Sequence, residues 1–326
     1  MSKKRILSGM RPTGRLHLGH FVGALENWVK FQDEYECFFE VADWHALTSE
    51  YHNSGSIAQN SIEIMADFLS VGLDPKRSTI FVQSHVPFHT DLHLILSMVT
   101  PVGWVERCPT YKDQVKELAA KDINTYGFLG YPVLQAADIL MYRAHVVPVG
   151  EDQLPHLEMT REITRRFNNI FGDVFPEPQA RLTEVPLLLG LDRRKMSKSY
   201  DNSIALSEEP DSVRKKIGSA ITDPQRMRRN DPGRPDYCNI HAYYRVFVPD
   251  KADEVAGQCK AAEIGCVDCK KVLAEDLIQW LEPIQTKRAE LTRDESTIRD
   301  IIAEGDKKAH AAAEETMAAV HEAIKF

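Results

Sequence analysis

Nineteen residues near the N-terminus, 5 to 23, constrain the fold more than any other stretch of the 326-residue chain. Ile6 and Leu7 read as the end of a short buried strand. Gly9, Pro12 and Gly14 then force a loop. From Leu18 onward apolar residues recur at helical spacing, through Phe21, Val22, Leu25, Trp28 and Val29. The pattern is strand, loop, helix, with His17-Leu18-Gly19-His20 at the helix start. Such a start exposes unpaired N–H groups and the positive end of the helix dipole, which suits a phosphate. Gly19 has no side chain, so a flat ring such as a purine has room against its backbone. The imidazoles of His17 and His20 add donors.

The alternation continues. Cys37-Phe38-Phe39-Glu40-Val41 is a buried-strand run ending in Asp43-Trp44-His45-Ala46, which puts polar groups where open parallel sheets bind ligands. Residues 57 to 71 read as a helix stopped by Gly72, and residues 79 to 83 as the next strand. This predicts an α/β fold, a doubly wound parallel sheet of Rossmann-like type. Residues from about 88 to 125 break the rhythm and read as a helical insertion between the two halves of the sheet. Pro132 then opens a helix on which Tyr131, Gln135, Asp138 and Tyr142 share one face, spaced four, three and four apart. A lone Asp in a helix of Ala, Ile and Leu needs a partner, and an internal ion pair is the plain structural explanation. A strand at 146 to 149 enters Gly150-Glu151-Asp152-Gln153. Residues 168 to 194, with three prolines, read as loop. Beyond about 205 strand signals vanish and helices follow, the last at 296 to 324 with a break expected at Gly305. The predicted domains are 1–204, doubly wound, and 205–326, all helical.

Composition narrows the class. Hydrophobic residues make up 43% and charged residues 27%, as in soluble globular proteins. No apolar run approaches about 20 residues, so no membrane span is expected. Met1-Ser2-Lys3-Lys4-Arg5 leads into no long apolar core and does not read as a secretion signal, so a cytoplasmic location is expected. A net charge of −8 argues against a generic nucleic-acid coat. Arg214, Lys215, Lys216, Arg226, Arg228, Arg229 and Arg234 still cluster, either as a phosphate-binding surface or as a solvated helix face.

A second motif, Lys195-Met196-Ser197-Lys198-Ser199, follows far downstream. The two together, in this order, resemble the paired nucleotide-binding signatures of class I aminoacyl-tRNA synthetases. Within that class the sequence is similar to the tryptophan-specific family across nearly its whole length. The blocks that carry this are residues 8 to 14, His17 to His20, Asp43 to Ala46, Tyr131 to Asp138, Val147 to Gln153 and Lys195 to Ser199. The resemblance implies activation of L-tryptophan by ATP with Mg²⁺, release of pyrophosphate, and transfer of the acyl group to tRNA(Trp). It further implies that the 88–125 insertion forms a homodimer interface and that 205–326 binds the anticodon.

By the same resemblance, Arg11, Pro12, Thr13, Gly19, His20, Gly150, Glu151, Asp152, Lys195, Met196, Ser197, Lys198 and Ser199 hold ATP. His17, His20, Lys195 and Lys198 are the catalytic set, stabilising charge on the phosphates. Tyr131 and Gln153 take the ammonium group and Asp138 the indole N–H; Leu7, Val147 and Val149 wall the ring, with Gln135 at its edge. Arg11 and Gln135 depart from the residues common in bacterial relatives. An indole N–H is a donor only, so a buried carboxylate selects against phenylalanine, which would leave that acceptor unpaired.

Cys238, Cys259, Cys266 and Cys269 fall within 32 residues as C-x20-C-x6-C-x2-C. In a cytosolic chain such a cluster reads as a metal site, and four thiolates fit either zinc or an iron–sulfur cluster. A subset of the resembling family carries a [4Fe–4S] cluster on a similar set, which the Cys266 to Lys271 segment matches. Cys37 and Cys108 read as plain buried thiols. The competing functions are a tyrosine-specific synthetase of the same subclass, a small nucleotidyltransferase using His-x-Gly-His, and a catalytically silent RNA-binding relative.

Overall fold

A computed structural model describes residues 3–109, 111–112, 115, 122–182, 188–197 and 200–326, with the backbone but not the side chain of Asp152. Five strands, β1 (Arg5–Met10), β2 (Glu36–Val41), β3 (Ser78–Val82), β4 (Val146–Val149) and β5 (Gln179–Leu182), form one sheet in the order β3-β2-β1-β4-β5. Every pairing is parallel. The order reverses between β1 and β4, so the crevice beyond their carboxyl ends is where such a sheet takes a ligand. This is the doubly wound fold that the sequence predicts.

The chain divides into two compact units. One comprises Met1–Gly14, Asn27–Thr183 and Asp294–Phe326; the other comprises Arg15–Glu26 and Glu184–Arg293. This division differs from a single boundary at 204. The His-x-Gly-His turn groups with the second unit, and the last helix groups with the sheet.

The first unit holds the sheet and its crossover helices. Leu7, Phe38, Phe81 and Val147 from the strands bury against Val133, Ala137 and Leu140 of the Tyr131–Met141 helix. That helix is buried on nearly every side, which explains its small and aliphatic composition. The last helix, Glu295–Ile324, adds Ala309, Ala313, Met317 and Val320 to the same core. It runs unbroken through Gly305. A Cβ at that position would lie 1.8 Å from the Ile80 carbonyl oxygen, so the glycine serves the helix-to-strand approach instead of ending the helix. Asp306 Oδ1 then accepts the Val82 N–H at 3.0 Å, tying off a donor on the edge strand.

The expected loop at 168 to 194 is corrected in part. The Leu154–Phe171 helix runs into it, and Gln179–Leu182 is the edge strand β5. Gln-Ala-Arg-Leu is short and polar, with no period to show a strand; its hydrogen bonding to β4 defines it. The second unit is largely helical, with Pro210–Ser219, Asn239–Phe247, Pro249–Lys260 and Cys266–Arg293 packed through Val213, Ile217, Tyr243, Tyr244, Leu273 and Leu277. Among the described residues no helix is long and apolar enough to cross a membrane.

Candidate active site

In the first unit the chemistry gathers around Asp138, which is 1% exposed. Its Oδ1 accepts hydrogen bonds from Gln83 Nε2 at 2.7 Å and His89 Nδ1 at 2.7 Å, and its Oδ2 from His45 Nε2 at 2.8 Å. Burial works to raise the carboxyl's pKa. The hydrogen bonds and charge of His45 and His89 outweigh it and hold the group well below the usual carboxylate range. His89 is fixed from its other side by the Tyr142 hydroxyl, 2.8 Å from Nε2. Burial keeps that phenol protonated, so it donates to Nε2 and leaves the His89 proton on Nδ1, facing Asp138. The partners that a lone helical Asp needs are thus Gln83, His45 and His89.

The sequence reading named Asp138 but not its partners. His45 and Gln83 follow the carboxyl ends of β2 and β3, a position that itself signals ligand binding. His89 lies in the first turn of the next helix, Phe88–Val99, and carries no such signal.

Tyr131 and Gln153 are brought together through a residue the sequence reading missed. The Tyr131 hydroxyl is 2.8 Å from His156 Nε2, and His156 Nδ1 is 3.2 Å from Gln153 Oε1. His156 is 2% exposed and lies three residues beyond Gln153, at the start of the Leu154–Phe171 helix. Leu7, Val147 and Val149 are buried in one apolar cluster, and Gln135 is half-buried. Arg11, Pro12 and Thr13 follow β1 directly; Arg11 and Thr13 are exposed and Pro12 is buried. Gly150 leads a tight turn at Glu151–Gln153 immediately after β4, with Glu151 exposed.

The second unit brings the two signature motifs together. The His17 backbone N–H donates to His20 Nδ1 at 3.1 Å, which leaves the His20 ring proton on Nε2 when neutral. The two imidazoles stack with centroids 3.6 Å apart. The Gly19 N–H points at Met196 Sδ, 3.3 Å away. After His20 the helix widens to a π-turn at Phe21–Leu25, a feature frequent at functional sites. Buried Asn202 pins the second motif. Its Oδ1 accepts from Ser197 N–H at 2.8 Å, while its Nδ2 donates to Lys195 O at 3.1 Å and Asp192 Oδ1 at 2.7 Å. Asn202 was absent from the sequence reading, although it stands only three residues past the motif. Lys198 and Ser199 lie outside the described residues, as does the Asp152 side chain.

Several residues of the basic cluster are engaged within the unit. Arg214 pairs with Glu275 and Asp211, Lys216 with Glu208, and Arg234 with Asp223. Arg226 Nη1 points at the sulfurs of Cys259, at 3.5 Å, and Cys266, at 3.8 Å. The four cysteines come from three helix ends. Cys238 precedes Asn239–Phe247, Cys259 lies in the last turn of Pro249–Lys260, and Cys266 and Cys269 open Cys266–Arg293. Burial pushes the Cys269 thiol up to about 12, with the other three cysteines adding to the shift.

Comparison with known proteins fits this geometry. Residues 2–282 match the family model of class I tRNA synthetases for tryptophan and tyrosine. The tryptophan–tRNA ligase of Thermotoga maritima is 50% identical over 325 residues, covering 99% of each chain. The chain belongs to the tryptophan–tRNA ligases of class I. A solved ligase of this specificity, from Campylobacter jejuni in complex with ADP and tryptophan, superposes with a TM-score of 0.91 at 35% identity, over 99% of this chain and 100% of that one. The tyrosyl-tRNA synthetase of Archaeoglobus fulgidus, at 22% identity, TM-score 0.69 and 88% and 90% coverage, shares the fold alone.

Proposed function

We propose that the Asp138 cluster reads tryptophan and that the His17–His20 and Lys195–Ser199 motifs handle ATP, in a chain that activates L-tryptophan and transfers it to tRNA(Trp). The observation that carries the specificity is the ionised, acceptor-only Asp138, fixed by three donors among apolar walls. A ligand ring with a single N–H can donate to it, and a phenyl ring cannot.

The carboxylate of tryptophan attacks the α-phosphate of ATP, a phosphate–oxygen bond to pyrophosphate breaks, and the adenylate forms. No protein nucleophile is needed, so catalysis rests on position and charge. His20, with its proton held on Nε2, donates to a phosphate oxygen, and His17 stacks against it. Lys195 and Lys198 offset the charge that develops on the leaving pyrophosphate, with Ser197 and Ser199 donating further hydrogen bonds. Arg11, Pro12, Thr13, Gly150, Glu151 and Asp152 take the rest of the nucleotide. Mg²⁺ arrives with ATP, held by phosphates and water. Tyr131 and Gln153, tied through His156, take the ammonium group. The decisive test is tryptophan-dependent pyrophosphate exchange run beside tyrosine. Exchange with tyrosine instead of tryptophan would move the chain to the sister specificity.

We further infer that the four cysteines hold a [4Fe–4S] cluster in preference to zinc, as a structural group, since the reaction has no redox step. Four thiols from three helix ends fit either by chemistry. The preference rests on the resemblance of the Cys266 to Lys271 segment to the cluster-bearing subset of the family. Anaerobic protein should contain iron and sulfide and absorb broadly in the visible. One zinc and no iron would overturn the reading. The helices between residues 210 and 293 are the proposed anticodon contact. Leu94, Met98 and Val102, 56%, 74% and 61% exposed, support a homodimer through the insertion. The site of action is the cytoplasm.

A further inference from the structure

A second buried carboxyl lies beside Asp138. Glu40, 3% exposed, is the sole charged residue in the inner part of β2, and it lies over Gly9 of β1. A Cβ on Gly9 would come 2.5 Å from Glu40 Cγ, so the glycine makes room for this side chain. One Glu40 oxygen, an Asp138 oxygen and a His89 nitrogen lie within 4.8 Å of one another. Among the described residues no donor reaches Glu40 Oε2.

Two carboxyl groups this close and this buried do not both ionise. The donors decide which one keeps the proton. Asp138 receives Gln83, His45 and His89, and all three favour its charged form. Glu40 receives none at Oε2, so the proton stays with Glu40 and is offered to Asp138. The other ionisable groups that face Glu40 are Asp43, just after its own strand, and Tyr142, across the sheet face. The negative charge of Asp43 also opposes ionisation of Glu40, and the Tyr142 phenol is neutral. Burial, then the charge and hydrogen bond of Asp138, then Asp43 push the Glu40 carboxyl well above the usual range.

We propose that Glu40 is a positioning residue for tryptophan: a neutral carboxylic acid whose proton is shared with Asp138 and holds that carboxylate in the orientation that meets the indole N–H. This rests on Asp138 being the indole acceptor. With Glu40 as fourth donor, all four acceptor sites of the carboxylate are filled. The indole N–H therefore enters by replacing a donor. His45 is the one able to leave, because its side chain is 10% exposed while that of His89 is fully buried.

The test uses Glu40→Gln, which keeps a neutral donor of nearly the same shape, and Glu40→Leu, which has none. Wild-type protein at neutral pH should show the infrared carbonyl stretch of a buried carboxylic acid, lost in Glu40→Gln. The folding equilibrium of wild type relative to Glu40→Gln should fall by up to about tenfold per pH unit above the ordinary carboxyl range, because the folded state alone keeps the proton. Glu40→Leu should raise the KM for tryptophan by about tenfold or more with little change in kcat, and Glu40→Gln should restore most of it. No lost acid band, with parallel pH–stability curves, means that Glu40 is ionised and overturns the proposal. An unchanged tryptophan KM in Glu40→Leu overturns the positioning role. If Asp138→Asn leaves that KM unchanged while the acid band and pH slope appear, the indole reading fails and the shared proton stands.

Discussion

Replacing Asp138 tests the specificity argument, and the hydrogen bonds determine which replacement is informative. Asp138→Ala removes the acceptor of three buried donors at 2.7, 2.7 and 2.8 Å. Each orphaned donor costs about 1–3 kcal/mol, so the sum rivals a stability of about 5–15 kcal/mol. The alanine variant therefore reports on folding. Asp138→Asn keeps an oxygen for Gln83 and His89 and turns its amide toward His45. His45 can accept there if its proton moves to Nδ1. The stability cost should then be about 1 kcal/mol, while the charged acceptor for the indole is gone. A hydrogen bond to a charged group is worth about 1.5–3 kcal/mol, which corresponds to a loss of about 10- to 100-fold in kcat/KM for tryptophan. Pyrophosphate exchange at saturating ATP, with a thermal melt on the same sample, measures both. An asparagine variant within twofold of wild type in kcat/KM would refute the assignment of Asp138 to the indole.

Asn202→Ala frees the backbone at Ser197 and Lys195, so exchange should slow about 10- to 100-fold with the tryptophan KM unchanged; a changed KM and constant kcat would contradict a role on the ATP side. His156→Phe cuts the link between Tyr131 and Gln153 and should raise the tryptophan KM about 3- to 10-fold, read in the same assay. Gly305→Val forces a side chain onto the Ile80 carbonyl and should cost about 1–3 kcal/mol or more in chemical denaturation, without changing the KM of the protein that stays folded.

What the sequence showed and what it hid divide along a physical line. Strands that cross the core, such as Glu36–Val41, buried at every position after the first, are largely apolar runs, legible because burial on both faces demands them. β5 has only one neighbour in the sheet and no such demand, so its four residues look like loop. Gly305 reads as a helix breaker by propensity, yet it marks where two backbones meet, a tertiary fact with no local trace. The signature motifs were legible because a phosphate site needs short-range features, namely a glycine, imidazoles and a helix start. Between the two motifs the structure shows the Gly19 N–H pointing at Met196 Sδ. Glu40 stood in plain view inside an apolar strand run, and a charged residue there is itself the signal, since such a group is almost never fully buried without a partner.

The partners of Asp138 were hidden for a related reason. Gln83, His89 and His45 are separated from it by 55, 49 and 93 residues. They come from beyond β2, from beyond β3 and from the helix that follows, and Asp138 itself rides on a helix packed across the sheet face. No local segment contains a selective pocket; each contributes one donor whose solitary burial would be unfavourable. The carboxylate pulls these donors together, and they in turn keep it charged. On the proposed assignment of Asp138 to the indole, specificity and stability rest on the same bonds, and a substitution at any of the four should register in the melt as well as in the tryptophan KM. A change confined to one of the two readouts at all four positions would separate the pocket from the core that the structure has merged.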